Sequence, residues 1–296
     1  MQGRAYAYLV LTTLLWGGNA VAGKLAVGHV SPMFLNLARW VLALLAVTVV
    51  SLPQLKADWP QLRSHWLRLL LLGAIGFTAF NGFLYSAVRY TSVVNAVIEQ
   101  GGVPVIIFAL NFLLFRIRVH VMQVIGFSIS FAGVAITAGH GNLQNLLSLS
   151  LNFGDVLMLA GVFCYGLYTV ALRFKPAIHW KSLMAATALG AVISAVPLVV
   201  WEAASGQLLL PDGRGLALIA FTGLLPALVS QILYIRGVEI IGANRAGLFV
   251  NLVPVFGTIL SVLIVPEELH FFHVMALALV LGGIAIAETS RAKTSR

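Results

Sequence analysis

Charge is what this sequence has least of. Asp, Glu, Lys and Arg make up 9% of its 296 residues, against about 25% in an ordinary soluble domain. With 60% apolar residues and a mean hydropathy of +0.99, no water-soluble globule would hide so much apolar surface. Disorder is excluded by the same composition. One cysteine, Cys164, excludes an internal disulfide framework and any thiolate metal cluster. Acidic residues number nine against 18 basic ones, a net charge of +9. In a soluble chain that excess would point to nucleic acid. Here the basic residues flank apolar runs, which is a topology signal, so no nucleic-acid partner is expected. No Gly-rich phosphate loop follows a strand. The seven histidines (29, 65, 120, 140, 179, 270 and 273) fall in loops or at span ends. No His/Asp/Glu grouping has metal-ligand spacing, so neither a metal nor a cofactor is expected.

What is present is a succession of long apolar runs. A helical span needs about 20 apolar residues, and ten spans can be read: Tyr6–Val27, Met33–Leu52, Trp66–Val88, Val93–Phe115, Val119–Gly139, Phe153–Phe174, Leu183–Trp201, Gly215–Arg236, Ala243–Val265 and Phe271–Glu288. Barrel strands would alternate in polarity, and these runs are apolar on every side. The expectation is an all-α membrane protein of ten transmembrane helices in contact with the lipid bilayer. Of the 18 Lys and Arg, fourteen fall on the side of the N-terminus. Lys24, Arg89 and Arg214 lie opposite, and Arg39 lies inside a span. That bias places both termini in the cytoplasm. Arg4, the first apolar run and Ala20-Val21-Ala22 would also suit a cleaved signal peptide, but the segment recurs inside the chain.

The recurrence is internal. Shifted by about 150 residues, Phe131–Ile136 returns as Leu281–Ile286, Val103-Pro104-Val105 as Val253-Pro254-Val255, and His120 as His270. Trp16-Gly17 matches Tyr165-Gly166, and Leu84-Tyr85 matches Leu233-Tyr234. The division is residues 1–140 as a first five-helix repeat, 141–152 as an outer linker and 153–296 as a second repeat with a cytoplasmic tail. Five is odd, so the second copy enters the bilayer inverted. Inverted repeats are a recurrent construction of secondary transporters.

Leu15-Trp16-Gly17-Gly18-Asn19, then Ser31-Pro32 with Arg39, the stretch Tyr85–Ser92, Pro104-Val105, Gly154-Asp155 and Pro254-Val255-Phe256 with Glu267 together resemble the EamA family of the drug/metabolite transporter superfamily. Within it, the chain is most similar to YddG-like exporters of aromatic and neutral amino acids. The resemblance covers both halves. It implies a secondary transporter in the cell's inner (plasma) membrane, a monomer or homodimer, exporting amino acids or similar small metabolites by alternating access. Arg116-Ile117-Arg118 stands where the second half has Glu267-Glu268, a departure from the family pattern. Other solutes, such as drugs or nucleotide sugars, remain an alternative. Nucleotide sugars would call for several buried Lys or Arg. An intramembrane enzyme is the rival class. It would need a Ser/His pair or an acidic cluster at membrane depth, and none is visible, so no catalytic residue is expected.

Polar and aromatic residues recur at helical spacing and mark a candidate substrate cavity: Trp16 and Asn19; Thr78, Asn81 and Tyr85; Asn95 and Glu99; Tyr165 and Tyr168; Ser230, Gln231 and Tyr234; Asn244 and Asn251. Spacings of three, four and seven put each set on one face, and lipid cannot satisfy these groups. Interhelical glue uses the same residue types. Gly101, Gly102, Pro104 and Pro254 are candidate helix breaks, either mechanical or packing kinks. Arg39 and Glu99 sit at equal depth and are expected to pair; a proton or substrate-amine role for Glu99 is the other reading. Gly126 with Ser130, Gly133 with Thr137, and Ala278 with Gly282 suggest close helix contact. Asp155 beside Gly154 reads as a helix start on the outer side.

Overall fold

A bilayer leaves no backbone N–H or C=O unpaired, and this chain meets that demand with helices. The computed structural model describes residues 2–116, 120–142, 144–145 and 151–294, the side chains of 243–245, 248 and 288–294 excepted. The helices are α1 (Gln2–Leu25), α2 (Pro32–Ala57), α3 (Trp66–Ala87), α4 (Val93–Phe115) and α5 (Val121–Ala138), then α6 (Phe153–Phe174), α7 (Trp180–Ala204), α8 (Gly213–Ile241), α9 (Ala243–Val250 followed by Val253–Ile264) and α10 (Phe271–Thr294). Among the described residues, eight helices are long and apolar enough to cross a membrane, and two shorter apolar helices, Val253–Ile264 and Phe271–Ala287, bring the number to ten. A short helix, Trp59–Ser64, joins α2 to α3. Helices α2, α7, α8 and α10 run longer than the apolar stretches at 33–52, 183–201, 215–236 and 271–288. Their polar ends continue the helix: His179 Nδ1 accepts from the Lys181 N–H at 3.2 Å and starts α7 three residues early.

The two halves pack on each other in exchange. Helix α1 lies against α8 and α9, while α6 lies against α3 and α4; α2 packs on α7, and α5 on α10. Swapping first-half helices for their second-half counterparts reproduces the same set of contacts. The interruptions repeat as well. Wide π-type turns occupy Ala74–Ala79 in α3 and Leu225–Val229 in α8. Helix α4 is broken at Gly101–Gly102 and α9 at Asn251–Leu252. Pro104 and Pro254 each stand in the first turn of the following piece, where a missing N–H costs no helical bond.

At the α5–α10 contact the backbones touch. A Cβ on Gly133 would lie 2.7 Å from the Ala276 carbonyl, and one on Gly126 would lie 2.6 Å from the Ala287 N. The small residues of α5 are buried here, but Ala278 and Gly282 are not the partners. Gly282 meets open space, and Ala276, Gly283 and Ala287 take the interface instead.

Carboxylates fasten helix starts across the halves. Glu202, near the end of α7, accepts from the Ser31 hydroxyl (2.6 Å) and the Met33 and Phe34 N–H groups (3.2 Å each) at the start of α2. At the other end Asp58, following α2, accepts from the His179 N–H before α7 at 2.9 Å. Glu267, following α9, accepts from Val93 and Val94 N–H at the start of α4 (2.9 and 3.1 Å). Each satisfies donors that a helix N-terminus leaves orphaned.

Candidate substrate cavity and the polar clusters beside it

The neutral polar residues of α1 and α3 converge on one charge. Asn19 (α1), Asn81 and Tyr85 (α3) surround Arg39 (α2), which is 2% exposed. Arg39 Nη1 donates to Asn81 Oδ1 at 2.5 Å and to the Tyr85 hydroxyl. The Tyr85 hydroxyl donates to Asn19 Oδ1 at 2.7 Å, and Asn19 Nδ2 donates to Asn81 Oδ1 at 3.2 Å. The guanidinium also lies over the Trp40 and Tyr85 rings, 5.2 and 5.6 Å from their centroids. Oxygen dipoles and aromatic faces thus hold the cation without an anion.

The expected Arg39–Glu99 pair does not form. Helix α2 turns Arg39 toward α1 and α3, whereas Glu99 lies on α4 beside α6, fully buried, with neither carboxyl oxygen hydrogen-bonded. Equal depth in the bilayer says nothing about which face of the bundle a side chain takes.

Aromatic rings occupy the middle. Trp16 (α1) and Tyr234 (α8) lie 5.5 Å apart. A second row runs Trp40–Phe77–Tyr168–Tyr165–Phe80, with successive centroids 4.3, 5.6, 5.6 and 4.9 Å apart. Trp16, Tyr165, Tyr168, Gln231 and Tyr234 are all half-buried, so their surfaces remain reachable. Trp40, Phe77 and Phe80 belong to this row and were missed, because in an apolar run a ring that lines a row looks like one that fills the core.

Other expected residues lie elsewhere. Thr78 donates to the Ala191 carbonyl (2.7 Å) and Ser230 to the Pro226 carbonyl (2.5 Å). Both are buried and act as interhelical or intrahelical bonds. Asn251 is half-buried at the α9 break; the side chain of Asn244 falls outside the described residues. A cavity of about 320 Å³ opens at the end away from the N-terminus, bordered by Gly23, Ser31, Leu35, Arg89 and Leu209. Of the expected cavity residues only Tyr85 borders it, and Tyr85 is 1% exposed, so it closes the floor.

Asn95 joins a cluster that sequence spacing does not reveal. Its Oδ1 accepts from His273 Nε2 (2.9 Å), and its Nδ2 faces the Thr91 hydroxyl (3.3 Å) and His140 Nδ1 (3.4 Å). His140 Nε2 and the Thr91 hydroxyl meet the two oxygens of Asp155, at 2.8 and 2.5 Å. Asp155 therefore does not start α6; Asn152 does, its side chain accepting from the Gly154 N–H at 2.7 Å. No grouping of three His, Cys, Asp or Glu able to hold a metal occurs among the described residues.

Ten apolar helices in two exchanging halves, each with its third helix widened and its fourth broken, define a polytopic helical membrane transporter. The model of the EamA-like transporter family matches residues 3–139 and again residues 152–289. The chain belongs to that family: it is a transporter, not an enzyme. Among its relatives, the uncharacterized transporter YyaM of Bacillus subtilis (strain 168) is 28% identical, the match covering 95% of this chain and 92% of YyaM. The uncharacterized transporter YetK of the same strain is 27% identical over 96% of this chain and 87% of YetK. An uncharacterized transporter of Archaeoglobus fulgidus is 25% identical, over 96% and 97% of the two chains. A crystal structure covering 100% of both chains superposes with a TM-score of 0.62 at 19% identity, which shows a shared fold.

Proposed function

We propose that this transporter exports aromatic and other neutral amino acids, or small metabolites of similar shape, by alternating access, in the YddG-like manner that its motifs resemble. Its site is the aromatic middle of the bundle, and it sits in the inner membrane with both termini in the cytoplasm. One observation carries the reading: Trp16, Tyr165, Tyr168 and Tyr234, from α1, α6 and α8, are half-buried rings at mid-helix with Gln231 among them. Rings with reachable faces stack on apolar and aromatic side chains. Broken α4 and α9 supply helix ends within the bundle, the kind of element that meets the charged groups of a substrate in secondary transporters. Arg39 is already enclosed by neutral partners, which disfavours the multiply anionic solutes that need free buried cations. The orientation rests on the basic residues gathered at the N-terminal end.

The test is exchange in liposomes of purified protein preloaded with unlabelled amino acids against a labelled panel. Uptake of labelled Phe, Tyr or Trp above that of Asp or Lys is the expected result. Exchange of none of the panel would remove the amino-acid reading and leave the family membership intact.

A further inference from the structure

Among the described residues, Glu99 is the buried carboxylate of a membrane-embedded helix half with no hydrogen-bond donor or cation on either oxygen. It is 0% exposed, and both oxygens lack a hydrogen bond. An ionised carboxylate in such a place would have lost its hydration with nothing in return. The group is therefore a carboxylic acid as it stands, and its proton needs a route.

The route lies along its own helix face. Thr91, Asn95 and Glu99 are spaced four apart, so they stack on one side of α4. Thr91 and Asn95 are in the cluster with His140, Asp155 and His273, one helical turn from Glu99. The hydrogen-bond directions in the cluster can be deduced. The His270 backbone N–H donates to His273 Nδ1 at 3.0 Å, so in neutral His273 the other nitrogen carries the proton. His273 Nε2–H then donates to Asn95 Oδ1, which turns the Asn95 amide nitrogen toward His140 Nδ1. His140 Nδ1 is an acceptor, so His140 Nε2–H points at Asp155. Asp155, accepting there and from Thr91, is a carboxylate. His140 reaches water: its side chain is 40% exposed, Asp155 wholly buried. Its backbone, at φ 51°, is in the left-handed region that side chains rarely adopt, and Gly141 follows at φ 72°; the pair turns the chain sharply where the ring meets Asp155.

We propose that Glu99 is a proton-binding site, loaded and emptied through Asp155 and His140 from the end of the bundle opposite the N-terminus. A proton from water displaces the Asn95 amide at His140 Nδ1 and the proton on Nε2 passes to Asp155. No hydrogen bond joins Asp155 to Glu99 in this conformation, so the last hop to the Glu99 carboxylate is made when a water molecule bridges the two groups. One proton moves and no other covalent bond changes. The helices packed on this half of α4 present six titratable groups there: Lys24 of α1, His140 after α5, Asp155 of α6, Glu267 after α9, and His270 and His273 at the head of α10. Lys24 is held on the Thr91 carbonyl (2.9 Å) and Glu267 on the α4 N-terminus. His273 has both ring nitrogens engaged, by the His270 N–H and Asn95, and His270 is turned to the surface beside Glu268, which leaves the His140–Asp155 pair as the path. The break at Gly101–Gly102 follows at once, so a change in Glu99's charge acts at the point where α4 bends.

The proton site goes beyond the amino-acid reading, and its test uses no substrate. Infrared difference spectra of the purified full-length protein in lipid nanodiscs, acid minus alkaline, read protonated carboxyls directly. The expected result is a carboxylic C=O band that disappears as pH rises and is absent from Glu99→Gln. Deuterium should enter that band more slowly in His140→Ala. Should Glu99→Gln fail to fold, Glu99→Asp replaces it, with the band shifted in frequency. A band unchanged by either variant, or one that never titrates, overturns the site; unchanged deuterium entry in His140→Ala overturns the route. Either failure would leave amino-acid exchange in liposomes untouched.

Discussion

Arg39 shows how a single buried charge is held without its opposite. Two neutral oxygens, of Asn81 and Tyr85, and two rings hold it, and each of those oxygens is also engaged with Asn19. Tyr85→Phe removes the hydroxyl that bridges Arg39 and Asn19, stranding a donor and an acceptor. A loss of about 1–3 kcal/mol follows, to be read as a lower thermal midpoint in detergent; an unchanged midpoint would mean the hydroxyl contributes nothing. Trp16→Ala and Tyr234→Ala act differently, because their rings are half-buried. Transport of aromatic amino acids should fall more than that of alanine, since stacking area is lost, and equal effects on both would remove the rings from the site. At the far surface, Asp212 accepts from the Gly215 N–H at 2.8 Å and bonds His29 at 2.7 Å. Those contacts, the backbone bond first, hold its carboxyl below the usual range. A depressed carboxyl contributes above its unfolded value and loses that contribution as pH falls through its folded one. Hydrogen exchange of residues 26–31 should therefore quicken in acid, and Asp212→Asn should abolish the pH dependence.

Helices were legible where hydrophobicity alone decides them, and less so where polar contacts do. The apolar runs themselves are plain in the sequence, but the ends of α2, α7, α8 and α10 carry polar residues and were read short. The exchange of carboxylate caps was invisible, since Glu202 and Ser31 are 171 positions apart and no spacing rule links them. The same blindness joined Arg39 to Glu99 on depth and missed His140, His273 and Asp155, whose meeting needs three helices to be placed first. By contrast Asn19, Asn81 and Tyr85 share one cluster because each stood on a polar face that lipid forbids. The caps give an element-scale prediction. Glu202→Ala leaves one hydroxyl and two N–H groups at the head of α2 without an acceptor, costing about 1–3 kcal/mol, whereas Glu202→Gln keeps an acceptor oxygen and should cost less. Thermal unfolding of the two variants separates them; identical losses would assign the effect to packing. At the α5–α10 contact, Gly133→Leu meets backbone at 2.7 Å and should abolish folded yield.

At the scale of the whole molecule, the two pieces of α4 are packed differently. In α4 the piece Val93–Gln100 is buried from Val93 to Glu99, while Val103–Phe115 has no buried residue on any side. The second piece is therefore partly exposed around its whole circumference. The far end is bound by Glu202, Glu267 and the Asp155 cluster, all of them drawing separate helices together. In the proposed orientation, with the basic N-terminal end in the cytoplasm, the loosely packed piece of α4 lies on the side from which an exporter loads its cargo. Single cysteines in a Cys164→Ala background test both parts. Gly213→Cys should react with a membrane-impermeant thiol reagent from outside, and Ala57→Cys only from inside. Ile106→Cys should react from inside, Val97→Cys from neither side, and a transported amino acid should slow the reaction at 106 if it drives the change of access. Outside labelling at 57 would reverse the orientation. Equal reactivity at 97 and 106 would deny the difference between the two pieces of α4 on which the side of loading rests.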